Sequence, residues 1–171
     1  MKKIIIALSA IVVIVIGVAL FRGNSSSSSN QKITIVASTD FYAEIAKTVV
    51  GEHGTATAII KDANVSPEDY EPTTTVAKKV SGADIVLANG LGYDAWLNKL
   101  AKTSKNTKLI RVGEDVLNKK TGVNPHLWND PETMSKTANY LATELGKKDP
   151  KNRDYYKKNA KKYVASLKPV N

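Results

Sequence analysis

The sequence has no cysteine and only two histidines, His53 and His126, among its 171 residues. A chain without cysteine has no disulfide, no thiolate metal site and no cysteine nucleophile. A nucleophilic serine is not indicated either, because no G-x-S-x-G elbow occurs in the sequence. The remaining candidates for a chemical role are the carboxylates and the two imidazoles. They are the oxygen and nitrogen ligands that suit zinc or manganese.

Negative charge is also scarce, since 16 Asp and Glu residues face 25 Lys and Arg residues for a net charge of +9. Three of the positive residues, Lys2, Lys3 and Arg22, flank an apolar run near the N-terminus. The others are spread as single lysines and lysine pairs, a pattern typical of solvated helix faces. No arginine cluster or basic stripe with interleaved aromatics occurs, so the composition argues against nucleic-acid binding.

The apolar run covers residues 4–21 and would span about 27 Å as a helix, close to the thickness of a bilayer core. It is either a signal peptide cleaved after the small residues at 17–19 or an uncleaved anchor. We favour the anchor, because the apolar run continues beyond that cleavage site. The sequence therefore predicts a membrane anchor or signal segment over residues 1–22 and a serine-rich linker over residues 23–31, with the rest of the chain outside the cell.

Beyond the linker, strand-like and helix-like patterns alternate four times with short links. This alternation predicts an α/β fold with a four-stranded parallel sheet flanked by helices. Two further helices close the chain, and Gly146 is expected to end the first of them. The predicted strands cover residues 33–38, 55–60, 83–88 and 107–112.

Two irregular loops follow strands of the predicted sheet, residues 61–75 after the second and residues 113–130 after the fourth. In a parallel sheet both loops emerge at the same edge, where ligands bind in open α/β folds. The first loop carries Glu68 and the second carries His126. A carboxylate and an imidazole that converge in this way form half of a zinc or manganese site.

Each of these residues also has an interpretation in which it does not bind a metal. The acidic residues around Glu68 can be a solvated loop before a helix N-terminus, where the helix dipole favours negative charge. His126 can be incidental in a helix start that Asp130 caps and Pro131 opens. His53 is expected to be an exposed turn residue.

Three ordered motifs resemble the zinc/manganese solute-binding proteins of ABC importers, a family that includes adhesin-type surface lipoproteins. They are P-E-D-Y-E-P at residues 67–72, the segment 83–97 and N-P-H-L-W-N-D-P at residues 124–131. The resemblance covers the chain beyond the linker and implies two α/β lobes, joined by one long helix, with a divalent metal between them. It implies that residues 32–149 are the N-terminal metal-binding lobe and residues 150–171 the start of the interlobe helix.

The resemblance implies that His126 is a metal ligand, as the histidine of the family's Pro-His-x-Trp motif. In the first motif Glu68 stands where the family usually has histidine. A carboxylate also ligates zinc or manganese, and its oxygen shifts the preference toward harder ions such as Mn²⁺. The family's lipid-attachment cysteine and its second lobe, which supplies the remaining ligands, are expected but absent from this chain.

The resemblance implies an extracytoplasmic solute-binding component of an ABC importer for zinc or manganese, incomplete in this chain. Such a protein is not an enzyme. Its partner is an ABC permease, and its place is the extracellular face of the cytoplasmic membrane. The alternative is a cell-surface adhesion or interaction protein with the same fold; a metal-dependent hydrolase is less favoured, because no general base is arranged around an open coordination position. Without its second lobe, the last helix is expected to expose part of its apolar face and to promote self-association.

Overall fold

The computed structural model describes residues 32–167. Within this range four strands form one parallel sheet in the order β2-β1-β3-β4, so the predicted fold class is confirmed. The strands are β1 (Ile33–Thr39), β2 (Gly54–Ile60), β3 (Ile85–Ala88) and β4 (Lys108–Arg111). The helices are α1 (Asp40–Val50), α2 (Thr74–Ser81), α3 (Ala95–Lys102), α4 (Pro131–Lys148) and α5 (Arg153–Ser166).

The predicted membrane segment and the serine-rich linker lie outside the described residues. In the range 32–167, no helix combines the length and the apolar character needed to cross a membrane.

Alternation along the two central strands explains why the sheet is covered on both faces. Ile35 and Leu87 contribute to one apolar cluster, which α1, α4 and α5 cover. Val36 and Val86, one position away, contribute to a second cluster beneath α2 and α3. Successive strand residues point to opposite faces, and burying each such side chain contributes about 1.5–3 kcal/mol. The result is a three-layer arrangement with the sheet in the middle.

The expectation that Gly146 ends a helix is wrong, because α4 continues to Lys148. Gly146 is buried where α5 begins, and a Cβ at this position would lie 2.8 Å from Cγ of Arg153. The glycine therefore allows two helices to approach closely.

The last helix was expected to expose part of its apolar face, and the structure covers that face only in part. Tyr156 and Ala160 of α5 are buried, and Tyr163 and Val164 pack partly buried against the same core. The helix lies against α1 and α4, while Tyr163, Val164 and Leu167 at its C-terminal end are only half-buried. Self-association stays a prediction.

His53 is half-buried, which corrects the prediction of an exposed turn residue. It lies in the short 3-10 turn Gly51–His53, and its ring meets that of Tyr155 edge-on with 4.5 Å between the centroids.

The strand order creates a switch point between β1 and β3. The chain moves from β1 outward to β2 on one side and from β3 outward to β4 on the other. In open parallel sheets ligands bind beyond the carboxyl ends of the strands at such a point.

Candidate metal centre

Glu68 and His126 both lie at the carboxyl edge of the sheet, in the loops that follow β2 and β4. Both side chains are exposed, and Tyr93, which follows β3, is half-buried. The ring centroids of Tyr93 and His126 are 6.0 Å apart. Burial raises the pKa of Tyr93, and the nearby negative charges of Glu68 and Asp94 raise it further. Tyr93 is therefore close to the ring of His126 and within electrostatic range of Glu68.

The imidazole of His126 is oriented by Asn124, two residues earlier. Oδ1 of Asn124 lies 2.9 Å from the backbone nitrogen of His126 and 2.7 Å from its Nδ1. The backbone N–H is a donor, so the atom that accepts from it is the amide oxygen, which carries no proton. Nδ1 must then donate to the same oxygen, so a neutral imidazole at this position has its lone pair on Nε2. This is the tautomer that a histidine needs to ligate a metal through Nε2.

Aromatic packing anchors the backbone just after His126. Trp128 stacks on Phe41 of α1 with ring centroids 4.9 Å apart, and it also packs on Tyr93 at 5.1 Å. Leu127 is buried in the main core. The imidazole is thus exposed on a segment whose neighbouring side chains are fixed.

The helix start beyond this segment has the predicted cap. Asp130 accepts a hydrogen bond from the backbone N–H of Glu132 at 2.9 Å, with Pro131 at the first position of α4. The capped helix start and an exposed imidazole therefore occur together.

The loop that carries Glu68 is held at the preceding residue. Pro67 is buried, and its carbonyl oxygen accepts a hydrogen bond from Nε1 of Trp96 at 3.0 Å. Tyr70 packs on the same indole with ring centroids 4.8 Å apart. The Glu68 carboxylate is therefore exposed on a fixed backbone.

A cleft of about 250 Å³ opens at the same edge of the sheet. Its walls include Phe41, Pro67, Tyr93 and Trp128, which belong to the two loops and to their aromatic supports. Neither Glu68 nor His126 lines it, so the two candidates lie beside this cleft and not within it.

These two side chains can supply one oxygen and one nitrogen donor to a divalent cation. No group of three or more His, Cys, Asp or Glu residues suited to a metal occurs within residues 32–167. Two protein ligands leave at least two positions of a tetrahedral ion to other groups. Ligation by Glu68 and His126 stays a prediction.

Three residues at this edge, Tyr93, Asn89 and the orienting Asn124, were not among the candidates predicted from the sequence. The role of Asn124 could have been predicted, because an Asn side chain often accepts a hydrogen bond from the backbone N–H two residues later. Here that later residue is His126. Tyr93 and Asn89 come soon after the buried strand β3, at the carboxyl edge of the sheet where ligands bind. That position is the sequence signal by which they could have been predicted.

Comparison with known proteins gives a family match over most of the chain. A model of the family described as zinc-uptake complex component A, periplasmic, matches residues 35–171. The manganese ABC transporter substrate-binding lipoprotein PsaA of Streptococcus mitis is 32% identical over 168 residues, which cover 90% of this chain and 54% of that protein. The chain thus spans about half the length of the curated relatives it matches.

Two solved structures share the fold. A Mn-bound periplasmic metal binding protein from Candidatus Liberibacter asiaticus matches with a TM-score of 0.69 and 25% identity, over 79% of this chain and 53% of its own. Zn(II)-bound AdcA from Streptococcus pneumoniae matches with a TM-score of 0.68 and 25% identity, over 80% of this chain and 30% of its own.

Proposed function

This chain belongs to the family of zinc-uptake complex component A, periplasmic, and from that membership we propose that it is the N-terminal lobe of a solute-binding protein of an ABC importer. Its cargo is a divalent metal, zinc or manganese, which it binds and passes on without catalysing a reaction. Its partners are the permease and ATPase of the importer. The apolar segment at residues 4–21 holds it at the extracellular face of the cytoplasmic membrane.

We propose His126 and Glu68 as the two metal ligands of this lobe, with the remaining ligands supplied by a second lobe. The observation that carries the proposal is the hydrogen bonding of His126. Its Nδ1 donates to Asn124, so the Nε2 lone pair is free on an exposed loop at the ligand-binding edge of the sheet. The ring of Tyr93 lies near that of His126, and the charge of Glu68 acts on the Tyr93 hydroxyl.

Both metals are represented among the similar proteins, since PsaA is named for manganese and the AdcA structure holds zinc. In this chain the carboxylate of Glu68 favours the harder manganese ion more than a second imidazole would. No specific observation favours the alternative of a surface adhesion protein without transport.

The experiment is a calorimetric titration of zinc and of manganese into the full chain, kept in detergent because of its apolar N-terminal run. Two ligands predict weak binding that His126→Ala abolishes. His53→Ala is the matched control, because it removes the other histidine, which packs against Tyr155 away from the site. Tight binding that survives His126→Ala would contradict the proposal, as would equal losses in the two histidine variants.

A further inference from the structure

Both candidate ligands follow a proline, and the two prolines are held in the same way. The carbonyl oxygen of Pro67 accepts from Nε1 of Trp96 at 3.0 Å, and that of Pro125 accepts from Nδ2 of Asn89 at 3.0 Å. Both donors lie on the stretch of chain that begins where β3 ends. A peptide group is planar, so fixing its oxygen also fixes the backbone nitrogen of the next residue.

The side chain of Asn89 has its orientation set by the core. It is 0% exposed, and its Oδ1 accepts from the hydroxyl of Tyr42 on α1 at 2.7 Å. Its Nδ2 donates to the carbonyl oxygen of Gly90 at 3.1 Å as well as to Pro125. Its backbone N–H donates to the buried carboxylate of Asp94 at 2.6 Å. Leaving a buried amide without its hydrogen-bond partners costs free energy, so the side chain of Asn89 keeps one orientation.

Trp96 is held by packing. Its ring lies partly buried against the second apolar cluster, beneath α2 and α3, and against Tyr70. An indole has a single N–H donor, and here that donor is used on Pro67. The direction of the hydrogen bond is therefore determined by how the ring packs.

We propose that Asn89 and Trp96 are positioning residues for the metal centre, and this inference rests on the proposed function. Asn89 sets the peptide that carries His126, and Trp96 sets the peptide that carries Glu68. Neither touches the metal. Because both donors belong to one short stretch after β3, they fix the relative placement of two ligands that lie in separate loops.

The first test is Asn89→Ser, whose shorter side chain does not reach Pro125, with the zinc affinity of the full chain measured by calorimetry. We expect a loss of about 10-fold or more, as for other outer-shell partners of a metal ligand. Tyr156→Phe is the control, because it removes a tyrosine hydroxyl that donates to Asp149, away from the hydrogen bonds of Asn89. Equal losses of zinc affinity in the two variants would overturn the proposal, since they would show a general effect of lowered stability.

The imidazole ¹⁵N spectrum supplies a readout that stability alone does not move. In Asn89→Ser the signals of His126 should shift toward a mixture of tautomers, while those of His53 stay unchanged as an internal reference. Unchanged His126 signals would count against the proposal.

The second test is Trp96→Phe, which keeps an aromatic ring but removes the N–H donor and part of the ring area that packs on Tyr70. We expect weaker metal binding in the otherwise unchanged chain and no further weakening in a Glu68→Ala background, where His126 remains. The same loss in both backgrounds would mean that Trp96 does not act through Glu68.

The proposed function and the positioning role can be refuted separately. If His126→Ala loses metal binding while Asn89→Ser and Trp96→Phe keep it, only the positioning role is overturned. If binding survives His126→Ala, the proposed function fails and the positioning role fails with it.

Discussion

Oδ1 of Asn124 accepts two hydrogen bonds from His126, one from its backbone N–H at 2.9 Å and one from Nδ1 at 2.7 Å. A single amide oxygen therefore fixes both the backbone and the ring of this histidine. An imidazole held at Nδ1 presents Nε2 without having to choose a tautomer when a metal arrives.

Asn124→Ala should weaken zinc binding by about 10-fold, because the ring loses the acceptor that selects its tautomer and orientation. Calorimetric titration measures the change. Asn64→Ala is the matched control: Asn64 is an exposed loop amide whose hydrogen bonds go to Asp62. An Asn124→Ala protein that binds zinc as tightly as the unchanged chain would show that the hydrogen bond has no role in ligation.

Glu68→His should tighten zinc binding more than manganese binding. The substitution replaces a carboxylate oxygen with an imidazole nitrogen, a softer donor that suits zinc better than manganese. The measurement is the ratio of the two affinities in parallel titrations. Asp69→His places the same group one residue away on the same exposed loop, and it should leave the ratio unchanged. If both variants shift the ratio equally, Glu68 is not the ligand.

The fold was predictable because its signals are local and repeated. The run from Ile85 to Ala88 is entirely apolar and buried, as expected for a central strand covered on both faces. The end of β4 was less predictable. The expected strand continued to Val112, but Asp115 accepts from the backbone N–H of Arg111 at 2.8 Å, and a π-helical turn over Val112–Val116 replaces the strand.

The site was predictable only in part, for a related reason. His126 and Glu68 stand in motifs that can be seen along the chain. Tyr93, Asn89 and Trp96 act through contacts with residues about 30 positions away, such as Asn89 with Pro125 at a separation of 36 and Trp96 with Pro67 at 29. Only the folded sheet brings such pairs together.

Tyr156→Phe should destabilise the protein at neutral pH by about 1 kcal/mol, because it removes a hydrogen bond from the hydroxyl to Oδ2 of Asp149 at 2.7 Å. The expected loss is modest because the Asp149 carboxylate is partly solvated. That hydrogen bond lowers the pKa of Asp149 below its usual 3.8, with Asn152 contributing as well. The stabilisation is therefore fully present above about pH 4 and is lost as the pH falls through the lowered pKa of the folded state.

Urea unfolding at about pH 7 and about pH 2 tests this dependence. The difference in the free energy of unfolding between the unchanged chain and Tyr156→Phe should be smaller at the lower pH. Tyr163→Phe is the control on the same helix, since the described residues give its hydroxyl no hydrogen bond. A Tyr156→Phe deficit that stays constant with pH would show that it arises from packing and not from the carboxylate.

Gly90→Ala should destabilise the protein by about 2 kcal/mol or more, because two costs combine. Gly90 has φ +79°, a left-handed conformation that costs an L-residue about 1–2 kcal/mol. A Cβ at this position would also overlap Oε2 of Glu114, whose Oε1 accepts from the backbone N–H of Leu91 at 3.1 Å. The added methyl group would therefore displace the carboxylate that holds the loop leading to Tyr93.

Gly82→Ala is the matched control for this substitution. Gly82 has φ −92°, and a Cβ there would lie 3.5 Å from its nearest neighbour, an ordinary contact. We expect a change within about 0.5 kcal/mol, as for most surface substitutions. Urea unfolding of both variants gives the comparison. Equal stabilities of the Gly90→Ala and Gly82→Ala proteins would mean that the loop relaxes around the new methyl group. A large loss of stability confined to Gly90→Ala would mean that Glu114 and the left-handed backbone together maintain the loop that carries Tyr93 toward His126.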